Sequence, residues 1–135
     1  MTAGLLFWVL HLIAQAQAGP KFDYDKIKDF TKSPTEHIII ELDHPIEVRS
    51  VRGLVRDQTG FLRQSVIFEI REKSSDAVRR ATTDARGRFR IKGVQPGEYD
   101  FKATLDGFQS VVGVIILSRK ADPKNAIQIQ LKVGV

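Results

Sequence analysis

From His37 to the end of the chain, apolar residues recur with a period of two, the repeat of a strand that buries one face. Ile38, Ile40 and Leu42 alternate in HIIIEL, and Pro45 then breaks that strand or marks an edge. Val51, Gly53 and Val55 alternate up to Asp57-Gln58-Thr59-Gly60, a turn signal. Val66, Phe68 and Ile70 follow, with Glu69 and Arg71 on the opposite face, before a second turn at Lys73-Ser74-Ser75-Asp76. Ala81 and Thr83 lead into Asp84-Ala85-Arg86-Gly87, where glycine suits the left-handed position that closes a hairpin. Phe89 and Ile91 then point one way and Arg88 and Arg90 the other. Pro96-Gly97 turns the chain into a strand where Tyr99, Phe101, Ala103 and Leu105 alternate with Asp100, Lys102, Thr104 and Asp106, the second set predicted to face water. Gly107 turns it again. Val111–Leu117 (VVGVIIL) is apolar on both faces, and Ile127, Ile129, Leu131 and Val133 alternate with Gln128, Gln130 and Lys132 in the last strand.

Seven or eight short strands, separated by turns and without a helical period, predict an all-β sandwich over residues 37–135. A strand of a small sandwich has one wet face, so VVGVIIL needs cover. The Ile38–Ile40 strand, the segment before it or another chain must supply it, and internal cover is the expectation. Residues 19–36 are polar, with Pro20 and Pro34 and with Phe22, Tyr24, Ile27 and Phe30 scattered between lysines. They read as a flexible or loosely docked arm.

The segment Leu5–Ala14, LLFWVLHLIA, is about half as long as a bilayer-spanning helix requires. Ala16-Gln17-Ala18 follows it, with small residues where a signal peptidase accepts them. Residues 1–18 are therefore expected to be a signal peptide cut after Ala18, although Met1–Gly4 carries no Lys or Arg. The mature chain would have no transmembrane segment and would be periplasmic or extracellular, as a monomer or weak homo-oligomer.

Composition sharpens this picture. The 135 residues allow one domain, and 42% hydrophobic with 27% charged residues is ordinary for a folded one. The absence of cysteine removes disulfides and thiolate metal sites, and in an exported chain it fits a bacterial source. The net charge of +5 favours anionic partners such as acidic glycans or phospholipid headgroups, against the plainer alternative of a solvated positive surface.

Four turn motifs resemble one family in order and spacing. Val51-x-Gly53-x-Val55-x-Asp57-x-x-Gly60 resembles the opening of carboxypeptidase regulatory-like domains. Thr83-Asp84-Ala85-Arg86-Gly87-Arg88-Phe89 resembles their central hairpin, Gly93-Val94-Gln95-Pro96-Gly97-Glu98-Tyr99 a later turn, and Gly107-Phe108 the pair one strand on. The resemblance covers residues 51–133 and implies a Greek-key, transthyretin-like or Ig-like sandwich. In that family the domain usually serves as an appendage, and residues 37–50 add a strand that the usual pattern lacks. These matching residues define turns and core, and none of them carries chemistry.

The sequence carries few residues arranged for chemistry. His37 and His44 flank one strand, with Glu41 and Asp43 between them, and a metal site needs three or four converging ligands. There is no G-x-S-x-G, phosphate loop or H-E-x-x-H. Carboxylates such as Asp100 and Asp106 are expected on turns or the solvent face. A hydrolase with the transthyretin-like fold carries a tyrosine-rich C-terminal tetrapeptide, which Leu131–Val135 does not match. A related adhesin module closes a Lys–Asn isopeptide bond with an acid where this chain has Ala103, so no cross-link is expected. No enzyme activity, cofactor or metal is predicted.

What remains is a binding role. Arg79, Arg80, Arg86, Arg88 and Arg90 cluster around one hairpin in the sequence and form a candidate patch for an anionic partner, with a solvated edge-guarding hairpin as the alternative. The expected function is a non-catalytic, exported interaction module of the cell envelope, its partner an envelope protein or an anionic polysaccharide. Nucleic acid is not expected after export. The alternative is a carbohydrate-binding module of the starch-binding-like type, which needs exposed aromatics; Tyr24 and Phe61 are the residues available for that.

Overall fold

The computed structural model describes residues 19–134, so the leader and the cleavage after Ala18 lie outside the described residues. The described residues form nine strands: β1 (Ile39–Glu41), β2 (Ile46–Val48), β3 (Val51–Asp57), β4 (Ile67–Glu72), β5 (Val78–Thr82), β6 (Arg88–Ile91), β7 (Gly97–Thr104), β8 (Ser110–Leu117) and β9 (Ile127–Leu131). They make a sandwich. One sheet runs β1-β8-β7-β4-β5, with β2 also on β8, and the other runs β6-β3-β9.

The count exceeds the expected seven or eight because the first strand is split. β1 lies parallel to Ser110–Val112 and β2 lies parallel to Ile115–Leu117 of the same β8. Pro45 sits between them and has no N–H to donate, so the ladder is interrupted there and resumes.

Between the sheets lies the core predicted from the period of two, with Val55, Phe68, Phe101, Ile115, Ile127 and Leu131 all at 1% exposure or less. Phe68 of the larger sheet stacks on Phe89 of the smaller one, with ring centroids 4.1 Å apart. Rings of this size contribute about 2–3 kcal/mol each by burial alone. Gly53 makes room for this contact: a Cβ there would lie 2.1 Å from the Ile127 carbonyl oxygen and 2.7 Å from the Phe89 ring. Gly87 closes the turn between β5 and β6 at φ +71°, against the Val55 carbonyl. The expected hairpin is instead a crossover between sheets, since β5 pairs with β4 and β6 with β3.

Residues 19–36 are packed onto the outer face of the larger sheet. Asp23 accepts a hydrogen bond from the Asp25 amide and starts a 3-10 helix over Tyr24–Asp29. Phe22 and Phe30 close over Val112 of β8 as a second small core. VVGVIIL is therefore covered from within the chain, by the first core on one side and by the arm on the other.

The arm also changes the environment of the residues expected to face water. Glu69, Arg71, Asp100, Lys102 and Thr104 are all buried. Asp100 is no solvent-face carboxylate: it accepts from Arg71 at 2.8 Å and from Lys73 at 2.8 Å. Lys102 pairs with Glu36 of the arm at 2.8 Å, and Glu69 accepts from the Thr31 amide at 2.8 Å and from Arg80 at 3.0 Å. A period of two marks which residues share a face, and it is silent on whether a separate segment covers that face.

Candidate functional site

Among the described residues, no such segment covers the polar outer face of the smaller sheet. In the antiparallel register of β3 and β6, Arg52 lies opposite Arg90 and Leu54 opposite Arg88. The parallel pairing with β9 sets Gln128 beside Leu54 and Gln130 beside Arg56. Directly paired residues share a face. Neighbours on that face are therefore about 4.8 Å apart across strands and about 6.8 Å apart along them, close enough for several guanidinium groups to meet one polyanion.

Arg52, Arg56, Arg86, Arg88 and Arg90 line one open cleft of about 880 Å³ on this face. All are exposed except Arg52, which is half-buried and donates to the Pro123 carbonyl at 2.8 Å. The single carboxylate in the lining among the described residues belongs to Asp84, and it is directed into the backbone of its own turn. Its Oδ1 accepts from the Arg88 amide at 3.0 Å and the Arg86 amide at 2.9 Å. Those two bonds hold the acid below its ordinary pKa and keep it ionised. Asp84 thus fixes the backbone that presents Arg86 and Arg88.

Three of the five arginines singled out in the sequence, Arg86, Arg88 and Arg90, meet here. The other two do not. Arg79, on β5, donates to the carbonyls of Lys92 at 2.6 Å and Gly93 at 3.3 Å. Arg80 points to the arm side of the larger sheet and pairs with Glu69. Arg52 and Arg56 take their places. Their signal was present, since both alternate with Val51 and Val55 on one strand. What the sequence withholds is the β3–β6 register, which sets them beside Arg88 and Arg90.

The loop after β3 contributes Leu62 to the lining of the cleft. Asp57 is buried there, and its Oδ1 accepts from the Thr59 hydroxyl at 2.6 Å, the Thr59 amide at 2.8 Å and the Phe61 amide at 3.1 Å. Its Oδ2 takes a two-pronged contact from Arg63 at 2.9 and 2.5 Å. The Thr59 hydroxyl foremost, with Arg63 and the two amides, lowers the Asp57 pKa from 3.8 to about 2 against the opposing effect of desolvation. Gly60 completes the turn at φ +92°. The loop carries Phe61 and Leu62 outward, 71% and 44% exposed.

The remaining family-motif residues are structural. The Tyr99 hydroxyl donates to the Gln95 carbonyl at 2.5 Å and ties the strand to the Pro96-Gly97 turn. Gly107 turns at φ +89° into Phe108, whose ring lies 5.1 Å below the Arg63 guanidinium. Ala103 is fully buried in the core. His37 and His44 are both exposed, and among the described residues no three ligating side chains converge on a metal position.

The sequence profile of the carboxypeptidase regulatory-like domain matches residues 50–132. No curated protein matches the chain. Among solved structures, the chain is similar to the major pilin subunit of Bacillus cereus, at 18% identity and a TM-score of 0.47, over 62% of this chain and 28% of the pilin. It is also similar to chlorocatechol 1,2-dioxygenase from Pseudomonas putida, at 14% identity and a TM-score of 0.46, over 89% of this chain and 75% of that one.

Proposed function

This chain belongs to the carboxypeptidase regulatory-like domain family, and on that premise we propose that it is a non-catalytic, exported binding module of the cell envelope whose arginine face holds an anionic partner. One observation carries the reading: five arginines from two strands and a turn line a single cleft whose only carboxylate among the described residues is bonded into that turn. Guanidinium groups present planar forks of donors that match carboxylate, sulfate and phosphate oxygens. Each exposed contact is weak alone, so affinity comes from the array.

The titratable groups favour binding over catalysis. Asp57 and Asp84, the acids held below their ordinary pKa, are both engaged in turn backbone. Carbohydrate stacking is the weaker reading, because Tyr24 belongs to the arm on the larger sheet and Phe61 to a loop at the end of the smaller one. Export rests on Leu5–Ala14 and Ala16-Gln17-Ala18, and the exported protein is expected to begin at Gly19.

Retention on an immobilised panel of acidic and neutral glycans and envelope fractions tests the proposal. Binding to the acidic members that survives physiological salt and is lost in Arg88→Ala/Arg90→Ala supports it. Retention unchanged by that pair contradicts it.

A further inference from the structure

The arginine face ends against an apolar tip. Leu62 lines the same cleft as Arg56, Arg86 and Arg88. It is bridged to Arg56 in antiparallel fashion and packs close to Gly87 of the turn before β6. Phe61 stands beside it as the most exposed large apolar residue among the described residues. A soluble polyanion gives a phenyl ring at this position nothing to bind. The loop is also held rigidly in this outward form, since Asp57 joins three of its residues through side-chain and amide bonds and the Asp57 amide donates to the Phe61 carbonyl at 2.9 Å.

Basic side chains next to an exposed apolar pair are the chemistry of a protein that docks on an anionic bilayer. The cations meet headgroup phosphates, and the apolar tip enters the boundary between headgroups and acyl chains. We propose that the Phe61-Leu62 tip and the arginines beside it form one membrane-docking surface for anionic phospholipid. This deepens the proposed function and rests on its anionic reading of the cleft. The lipid supplies what the tip needs and a charged polymer lacks, an apolar phase directly behind a layer of negative charge. Binding at this surface is peripheral and reversible, since two apolar side chains fall far short of a membrane span.

Vesicle co-sedimentation of the full chain tests the proposal, with phosphatidylcholine alone or mixed equally with phosphatidylglycerol. Retention on dextran sulfate is measured in parallel. All variants share the N-terminal segment, so only differences between them count, and both substituted sites are exposed, so unfolding curves confirm that the fold is kept. The full chain is expected to bind the anionic vesicles more strongly than the neutral ones. Phe61→Ser/Leu62→Ser is expected to lower vesicle partitioning roughly tenfold or more, as loss of two inserted apolar groups requires, while dextran sulfate retention is unchanged. Arg88→Glu/Arg90→Glu is expected to lose both. If Phe61→Ser/Leu62→Ser binds anionic vesicles as the parent does, or if the parent holds dextran sulfate but ignores the added phosphatidylglycerol, the bilayer proposal is overturned and the anionic reading stands. If Arg88→Glu/Arg90→Glu binds both targets like the parent, the anionic reading itself falls.

Discussion

Arg71 donates from Nη2 to Asp100 Oδ2 at 2.8 Å, and both side chains are wholly excluded from water. The two are direct cross-strand partners on β4 and β7, on the sheet face that the arm covers. Arg71 also reaches up from this face to the Lys26 carbonyl at 2.9 Å and Asp29 at 3.2 Å, so one side chain joins sheet and arm. Arg71→Leu is expected to destabilise the fold by about 3–5 kcal/mol, because Asp100 keeps its buried charge with only Lys73 and the Asp23 amide as partners. Arg71→Leu/Asp100→Leu should recover a large part of that loss. Chemical denaturation of both variants decides, and a double variant no more stable than the single one contradicts this account.

The arm is held by its aromatics as well as its ions. Phe30 packs on Phe22 with centroids 5.9 Å apart and lies 5.2 Å from the Arg71 guanidinium. Phe30→Ala should weaken docking by about 3 kcal/mol. Trypsin cleavage at Lys26 and Lys28, restrained in the parent, should accelerate by at least an order of magnitude. An unchanged cleavage rate would show that the arm is loosely held already.

Acid should loosen the loop that carries Phe61 and Leu62. Asp57 is lowered to about 2 from 3.8. A carboxylate depressed in the folded state contributes stability that is complete above its unfolded pKa and is lost as pH falls through its folded pKa. The contribution is therefore expected to be constant above about pH 5 and to fade between about pH 4 and pH 2. Asp84 is lowered as well and fades in the same direction. Urea unfolding of the parent and Asp57→Asn, compared across pH, should show a stability gap at neutrality that closes toward pH 2. A gap independent of pH contradicts the assignment.

Gly53 is expected to tolerate no side chain. The Cβ of Gly53→Ala would meet the Ile127 carbonyl, which is backbone and cannot rotate away, and the Phe89 ring. Overpacking of this kind costs about 1–3 kcal/mol. Thermal unfolding measures it, and an unchanged midpoint would mean that β3 and β9 separate more easily than their register implies.

The strands, the turns and the core were legible in the sequence because each depends on local chemistry. Phe89 and Ile91 are buried while Arg88 and Arg90 are exposed, as alternation predicts. Relations between distant segments were not legible. Asp100, Lys102 and Glu69 read as solvent-facing because nothing near them in sequence announces a segment 38 to 77 residues earlier that covers them. The candidate site was half legible for the same reason. Arg86, Arg88 and Arg90 lie on one turn and the strand that follows it and are found together, whereas Arg52 and Arg56 join them only through strand pairing. Arg79 and Arg80 adjoin the same turn in sequence, yet they belong to the other sheet.

The most direct test of the central claim is the salt dependence of binding to a soluble polyanion. Binding through an array of guanidinium groups releases counterions, so log affinity falls linearly with log salt, by about one unit of slope for each contact. Dextran sulfate titrated against the parent, Arg88→Gln/Arg90→Gln and Arg79→Gln/Arg80→Gln separates the face from the general charge of +5. The predicted result is a slope reduced by about two in the first pair and nearly unchanged in the second, although both remove the same charge. Equal reductions in both pairs would show that only net charge is being read, and would contradict an arginine face built by β3 and β6.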